Sequence, residues 1–66
     1  MSNKKSYHVT HDDERWQVKA EGNDQASSKH DSKDEAVNKA KEYAKNNGGQ
    51  VIVHDKNGQI ESNEEY

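Results

Sequence analysis

Residues 32–48, SKDEAVNKAKEYAKNNG, carry the complete grammar of one amphipathic helix. Ser32 followed three residues later by Glu35 forms a capping box, in which side chains satisfy N–H groups that the first helical turn leaves without partners. Gly48 supplies the left-handed residue that ends the helix. At 100° per residue, Ala36, Val37, Ala40, Tyr43, Ala44 and Asn47 fall within an arc of roughly 120°, and Asp34, Glu35, Asn38, Lys41, Glu42 and Lys45 fall outside it. Lys33 is the one charge inside the arc, where its alkyl stem lies on apolar surface and its ammonium reaches water. Glu35 and Lys39 are spaced to pair at i,i+4. Three alanines in the stripe let the helix approach a sheet closely, with Trp16 as the large side chain that fills against them.

On the C-terminal side, Gly48-Gly49 leads into Gln50-Val51-Ile52-Val53-His54, the most β-prone run of the chain and the expected central strand. Asp55 to Gly58 reads as a four-residue turn, setting Ile60 opposite Val53 at the start of a final strand around residues 59–61. On the N-terminal side, Tyr7 and Val9 alternate along one segment and Trp16, Val18 and Ala20 along a second, as half-buried strands require. A four-residue loop over residues 11–14 would set Val9 against Trp16 and Tyr7 against Val18. Residues 25–30 offer a short third strand, with Ala26 as its apolar residue.

The order is therefore β-β-(β)-α-β-β, an α+β domain with a mostly antiparallel sheet and one helix on one face. Its expected limits are residues 6–61, between a disordered lead over 1–5 and a frayed tail over 62–66. The helix-facing core is expected to hold Val9, Trp16, Val18, Val51, Val53 and Ile60. By alternation the opposite face carries His8, Thr10, Arg15, Gln17, Lys19, Gln50, Ile52, His54, Gln59 and Glu61, and it is left to solvent or to a partner.

Composition narrows the functional classes. Of 66 residues only 26% are hydrophobic while 35% are charged, so stability rests on a small core whose residues are periodic rather than numerous. There is no cysteine, which removes disulfides and thiolate metal sites. No apolar run has membrane-spanning length, and Met1 to Lys5 does not lead into the apolar stretch of a secretory signal, so the expectation is a cytoplasmic protein without a membrane partner. A formal net charge of -3 argues against indiscriminate nucleic-acid binding, which depends on Lys and Arg displacing phosphate counterions. Residues 49–66 hold one base, Lys56, against Asp55, Glu61, Glu64 and Glu65, so the excess acid lies at the C-terminal end.

Several strings then match a known pattern. WQVKAEG at 16–22, ASS at 26–28, SKDEA at 32–36 and GGQVIVHDKNGQI at 48–60 resemble a family of short bacterial proteins known as domain of unknown function 2188. The resemblance runs from about Tyr7 to Ile60 and implies a bacterial cytosolic protein of this architecture, and it carries over no catalytic residue. His30 departs from it, because an aromatic or aliphatic residue is expected where the chain leads into the helix. A looser likeness, at the level of fold alone, is to the sheet-plus-helix domains with which some phage-type integrases bind DNA.

Chemistry-bearing clusters are few. His8 and His54 share the outer face, but His11 is expected in a turn and His30 just before the helix, so no three histidines converge and the expectation is solvated side chains with no metal and no cofactor. With no Cys, no Gly-x-Ser-x-Gly and no phosphate-cradling glycine loop, no catalytic residue is assigned and the protein is read as non-enzymatic. The better lead is the outer face as a binding surface, made of His8, Thr10, Arg15, Gln17, Lys19, Ile52 and His54. Nucleic acid is one partner suited to its basic and amide groups. The alternative is a protein partner or a second copy meeting an exposed Ile52.

Overall fold

The computed structural model describes residues 5–12, 14–23 and 25–66. Five strands and one helix follow in the order β1 (Ser6–Asp12), β2 (Arg15–Ala20), β3 (Ser28–His30), α1 (Lys33–Asn47), β4 (Gln50–His54) and β5 (Ile60–Glu65). The sheet is ordered β3-β2-β1-β4-β5, antiparallel at every seam except β1–β4, which is parallel. A parallel neighbour cannot be reached by a tight turn. The helix is therefore the crossover that carries the chain from the β3 edge back to β4, and it lies across β1 to β4 on one face.

The helix forms as its sequence dictates. Ser32 sits in extended backbone at φ −129° and its hydroxyl accepts the Glu35 N–H at 3.2 Å. At the other end Gly48 adopts φ 70°, and both Gly48 and Gly49 donate to the Ala44 carbonyl, at 2.7 and 3.0 Å. The two glycines have separate causes. Gly48 is left-handed, whereas a Cβ on Gly49 would lie 2.3 Å from the Lys5 carbonyl oxygen, because the start of β1 passes directly against it. That carbonyl accepts the Gln50 N–H at 2.9 Å, so Lys5, the one described residue of the expected lead, is already tied to the sheet. Along the surface, Lys39 pairs with Glu42 at 3.6 Å rather than with Glu35, whose carboxylate lies 3.9 Å from His30 Nδ1.

Tyr7, Val9, Trp16, Val18, Ala20, Val51 and Val53 are buried beneath Ala36, Ala40 and Ala44. Each buried valine contributes roughly 1.5–3 kcal/mol through area removed from water. Tyr7 stacks on Tyr43 at 5.6 Å and accepts a hydrogen bond from Asn47 at 2.9 Å, so the polar end of the helix stripe satisfies a buried phenol.

The β1–β2 register departs from the expected one. The ladder continues until Asp12 faces Arg15, pairing Tyr7 with Ala20, Val9 with Val18 and His11 with Trp16. His11 is thus a strand residue on the helix side, edge-on to the Trp16 ring at 5.0 Å. Trp16 lies at the end of the core under Lys33, whose ammonium is 5.8 Å from its ring, with His30 opposite it on β3. His30 accordingly joins the core's border, 17% exposed and bonded to Ser28 Oγ at 2.8 Å. The expectation of solvated histidines fails, since His8, His11, His30 and His54 are all partly buried.

The second hairpin also differs. Ile60 pairs with His54, not Val53, and a bulge at Glu61 restores register so that Val53 meets Ser62. Ile60 is consequently 65% exposed and outside the core. Glu61 leaves the outer face and forms an ion pair with Lys33 on the helix. Residues 62–65 are not frayed, for β5 pairs along β4 as far as Glu65, and Tyr66 N–H donates to the Gly49 carbonyl at 2.8 Å. Desolvation beside the helix end, with Glu64 accepting from its hydroxyl at 2.9 Å, holds the Tyr66 phenol above its ordinary value. Every β5 residue is nonetheless exposed, since the strand projects past the main footprint of the helix.

Candidate functional site

Strand alternation places the expected face residues together. Ser6, His8, Thr10 and Asp12 of β1 alternate with buried Tyr7 and Val9, and Arg15, Gln17 and Lys19 of β2 alternate with buried Trp16, Val18 and Ala20. The ladder sets His8 opposite Lys19, Thr10 opposite Gln17 and Asp12 opposite Arg15. The parallel seam brings His8 beside Ile52. All seven residues of the expected binding surface, His8, Thr10, Arg15, Gln17, Lys19, Ile52 and His54, therefore lie on the sheet face away from the helix.

The face has two unlike halves. Over β2 and β3, Arg15, Lys19 and Lys29 surround Gln17, which donates to Thr10 Oγ1 at 3.4 Å. Shallow, open grooves run between these side chains, with Asp12 and Glu14 on the rim at the hairpin end. Arg15 is 62% exposed and only loosely paired with Asp31, at 3.8 Å. Lys29 is an addition that the sequence did not supply, because a three-residue strand shows no alternation; its place opposite Gln17 is set by pairing with β2.

Over β1, β4 and β5 the face is closed by contacts. His8 Nδ1 lies 3.0 Å from His54 Nε2, and the two rings stack with centroids 5.2 Å apart. His8 Nε2 faces Glu21 Oε1 at 3.2 Å, and His54 Nδ1 faces the Gly58 carbonyl at 3.3 Å. Ile52, between His8 on β1 and Asn63 on β5, is only 9% exposed. The exposed apolar side chain expected there is instead Ile60, opposite His54. Glu21 gave no signal in sequence, since nothing in a turn residue marks it as a partner of a histidine thirteen positions earlier.

Metal and catalytic arrangements follow the same geometry. His11 and His30 flank Trp16 on the helix side, away from His8 and His54. Among the described residues, no group of three or more His, Asp or Glu side chains is placed to hold one ion. No helix of the described chain is long and apolar enough to cross a membrane.

Comparison with known proteins agrees with the family resemblance. An uncharacterised protein of Bacillus subtilis (strain 168), YdaT, is 42% identical over 57 residues, which cover 86% of this chain and 38% of that protein. This chain thus spans well under half the length of that relative. No solved structure matches it. The model of the family described as an uncharacterised protein conserved in bacteria, domain of unknown function 2188, matches residues 7–66, almost the whole chain, and the chain belongs to that family.

Proposed function

We propose that this is a non-enzymatic binding domain of the bacterial cytoplasm whose outer sheet face, over β2 and β3, contacts the phosphate backbone of nucleic acid. The observation that carries the reading is the convergence of Arg15, Lys19 and Lys29 around Gln17 and Thr10 on the one sheet face that the helix leaves uncovered. Cations positioned on a rigid ladder bind phosphates by counterion release, and amide and hydroxyl groups beside them fix orientation. Asp12 and Glu14 at the rim confine the attraction to the centre of the half-face. An interface with three cations is small, so the expected affinity is modest and strongly dependent on salt.

Amide-shift titration of the protein with duplex DNA and with RNA, at low and moderate salt, tests this. Shifts should cluster at residues 15–19 and 29 and weaken as salt rises, with a log–log slope of magnitude up to about 3 if each cation meets one phosphate. Titrations that leave these amides unmoved at low salt refute the reading.

Exposed Ile60 favours a second one, self-association through the β4–β5 half. Against it, the free edge of β5 presents Glu61, Glu64 and Glu65, and like charges on an edge strand oppose pairing with a second copy. Sedimentation that remains monomeric at high concentration would eliminate that alternative.

A further inference from the structure

The distal nitrogens of His8 and His54 both face groups that can only accept a hydrogen bond. Glu21 Oε1 stands 3.2 Å from His8 Nε2, and the Gly58 carbonyl stands 3.3 Å from His54 Nδ1. Each neutral ring satisfies its outer partner by carrying its proton on that distal nitrogen. The inner nitrogens, His8 Nδ1 and His54 Nε2, are then both bare lone pairs, and they face each other at 3.0 Å. At that distance two bare lone pairs repel unless they share a proton, as in an ordinary N–H···N hydrogen bond, or a metal ion.

A carboxylate or carbonyl on the distal nitrogen is also the arrangement that orients metal-bound histidines and raises their basicity. With metal–nitrogen bonds of about 2.05 Å, nitrogens 3.0 Å apart subtend about 94° at an ion held equally by both. That angle suits the right-angled positions of tetragonal copper(II) or nickel(II) better than tetrahedral zinc. The His8 side chain is 27% exposed, so an ion can enter from solvent. Among the described residues, charged groups beside the pair include Glu21, after β2, and Lys19, opposite His8 on β2. From β4 and β5 come the neutral Ile52, Asn63 and Ile60, and the helix lies on the other face.

We propose that His8 and His54 form a two-histidine chelate for a divalent late transition-metal ion, copper(II) or nickel(II), with Glu21 and Gly58 as outer acceptors and water in the remaining positions. The site stands apart from the nucleic-acid reading, and its test contains no nucleic acid.

Tag-free protein titrated with copper(II), then nickel(II), at pH 7.5 in a non-coordinating buffer should take up one ion per chain, copper more tightly than nickel. Paramagnetic broadening should centre on His8, Ile52 and His54. His8→Gln and His54→Gln should each weaken binding at least tenfold while keeping the thermal melt, and Glu21→Ala should weaken it about 10-fold through loss of the outer acceptor. Affinity unchanged in His54→Gln, or broadening centred on His11, His30 or the amino terminus, overturns the proposal. So does a pair that shares one proton on pH titration but shows no competition between that proton and added metal.

Discussion

The two faces of this sheet are built by opposite means. Under the helix, small residues meet small residues, and Val9, Val18, Ala36, Ala40 and Ala44 reach complete burial without any polar partner. On the outer face almost every side chain is polar, and order comes from pairwise contacts such as His8 with His54 and Gln17 with Thr10. The first face consumes nearly all the apolar residues that a composition of 26% hydrophobic allows. The second is left free to vary in chemistry, since its side chains carry little of the stability. In a domain this small, a surface with tunable function has to be the one that the core does not need.

The sharpest way to break that division is to attack the covered face. Trp16→Ala removes the largest buried side chain, at the core's end beneath Lys33. It should cost roughly 3–5 kcal/mol, enough to unfold a domain of marginal stability or nearly so. A cooperative melt within a few degrees of the unsubstituted protein would show that the core does not depend on it.

The next effect tests the seam joining helix, β1 and β4. In Gly49→Ala the new methyl meets the Lys5 carbonyl, a backbone atom that cannot move without displacing the first rungs of the parallel pair. The expected cost is about 1–3 kcal/mol, as for overpacked sites. Amide exchange should show the loss first at Gln50, whose N–H donates to that carbonyl. Removing the cap with Ser32→Ala should cost less, about 1 kcal/mol, because one helix N–H loses its acceptor while the helix keeps its buried stripe.

What the chain discloses in advance follows the same contrast. The helix was readable to its ends, because cap, stripe and terminal glycine are local signals with fixed spacing. Parity along β1, β2 and β4 was also readable, and with it the outer-face residues of those three strands, whereas Glu61 of β5 does not keep its expected place there. Register was not. Shifting the β1–β2 hairpin by two residues keeps every side chain on its face, so hydrophobic alternation cannot tell a ladder ending at Asp12 and Arg15 from a longer loop. Only the identity of Trp16's neighbours changes, and these are His11 and His30, residues with no apolar signature. Ile60 was misplaced for a related reason, since the bulge at Glu61 adds a residue that no pattern in ESNEE announces. Lys29 and Glu21 reach the outer face from segments without periodicity, so only tertiary pairing reveals them.

The smallest stability effect bears most directly on function. Replacing Arg15, Lys19 and Lys29 together by Gln should change the unfolding free energy by no more than about 0.5 kcal/mol per site. None of the three is in the core, and the ion pair of Arg15 with Asp31 is exposed and long. If the open half-face contacts phosphates, the same variant should lose its salt-dependent shifts with DNA and RNA while its melt stays nearly in place. A variant that melts far lower would mean that these side chains hold the sheet together and that the two faces do not divide the work. A variant that melts normally and still binds would move the contact off this half-face. Only loss of binding with retained stability fits a sheet in which one side makes the fold and the other meets the partner.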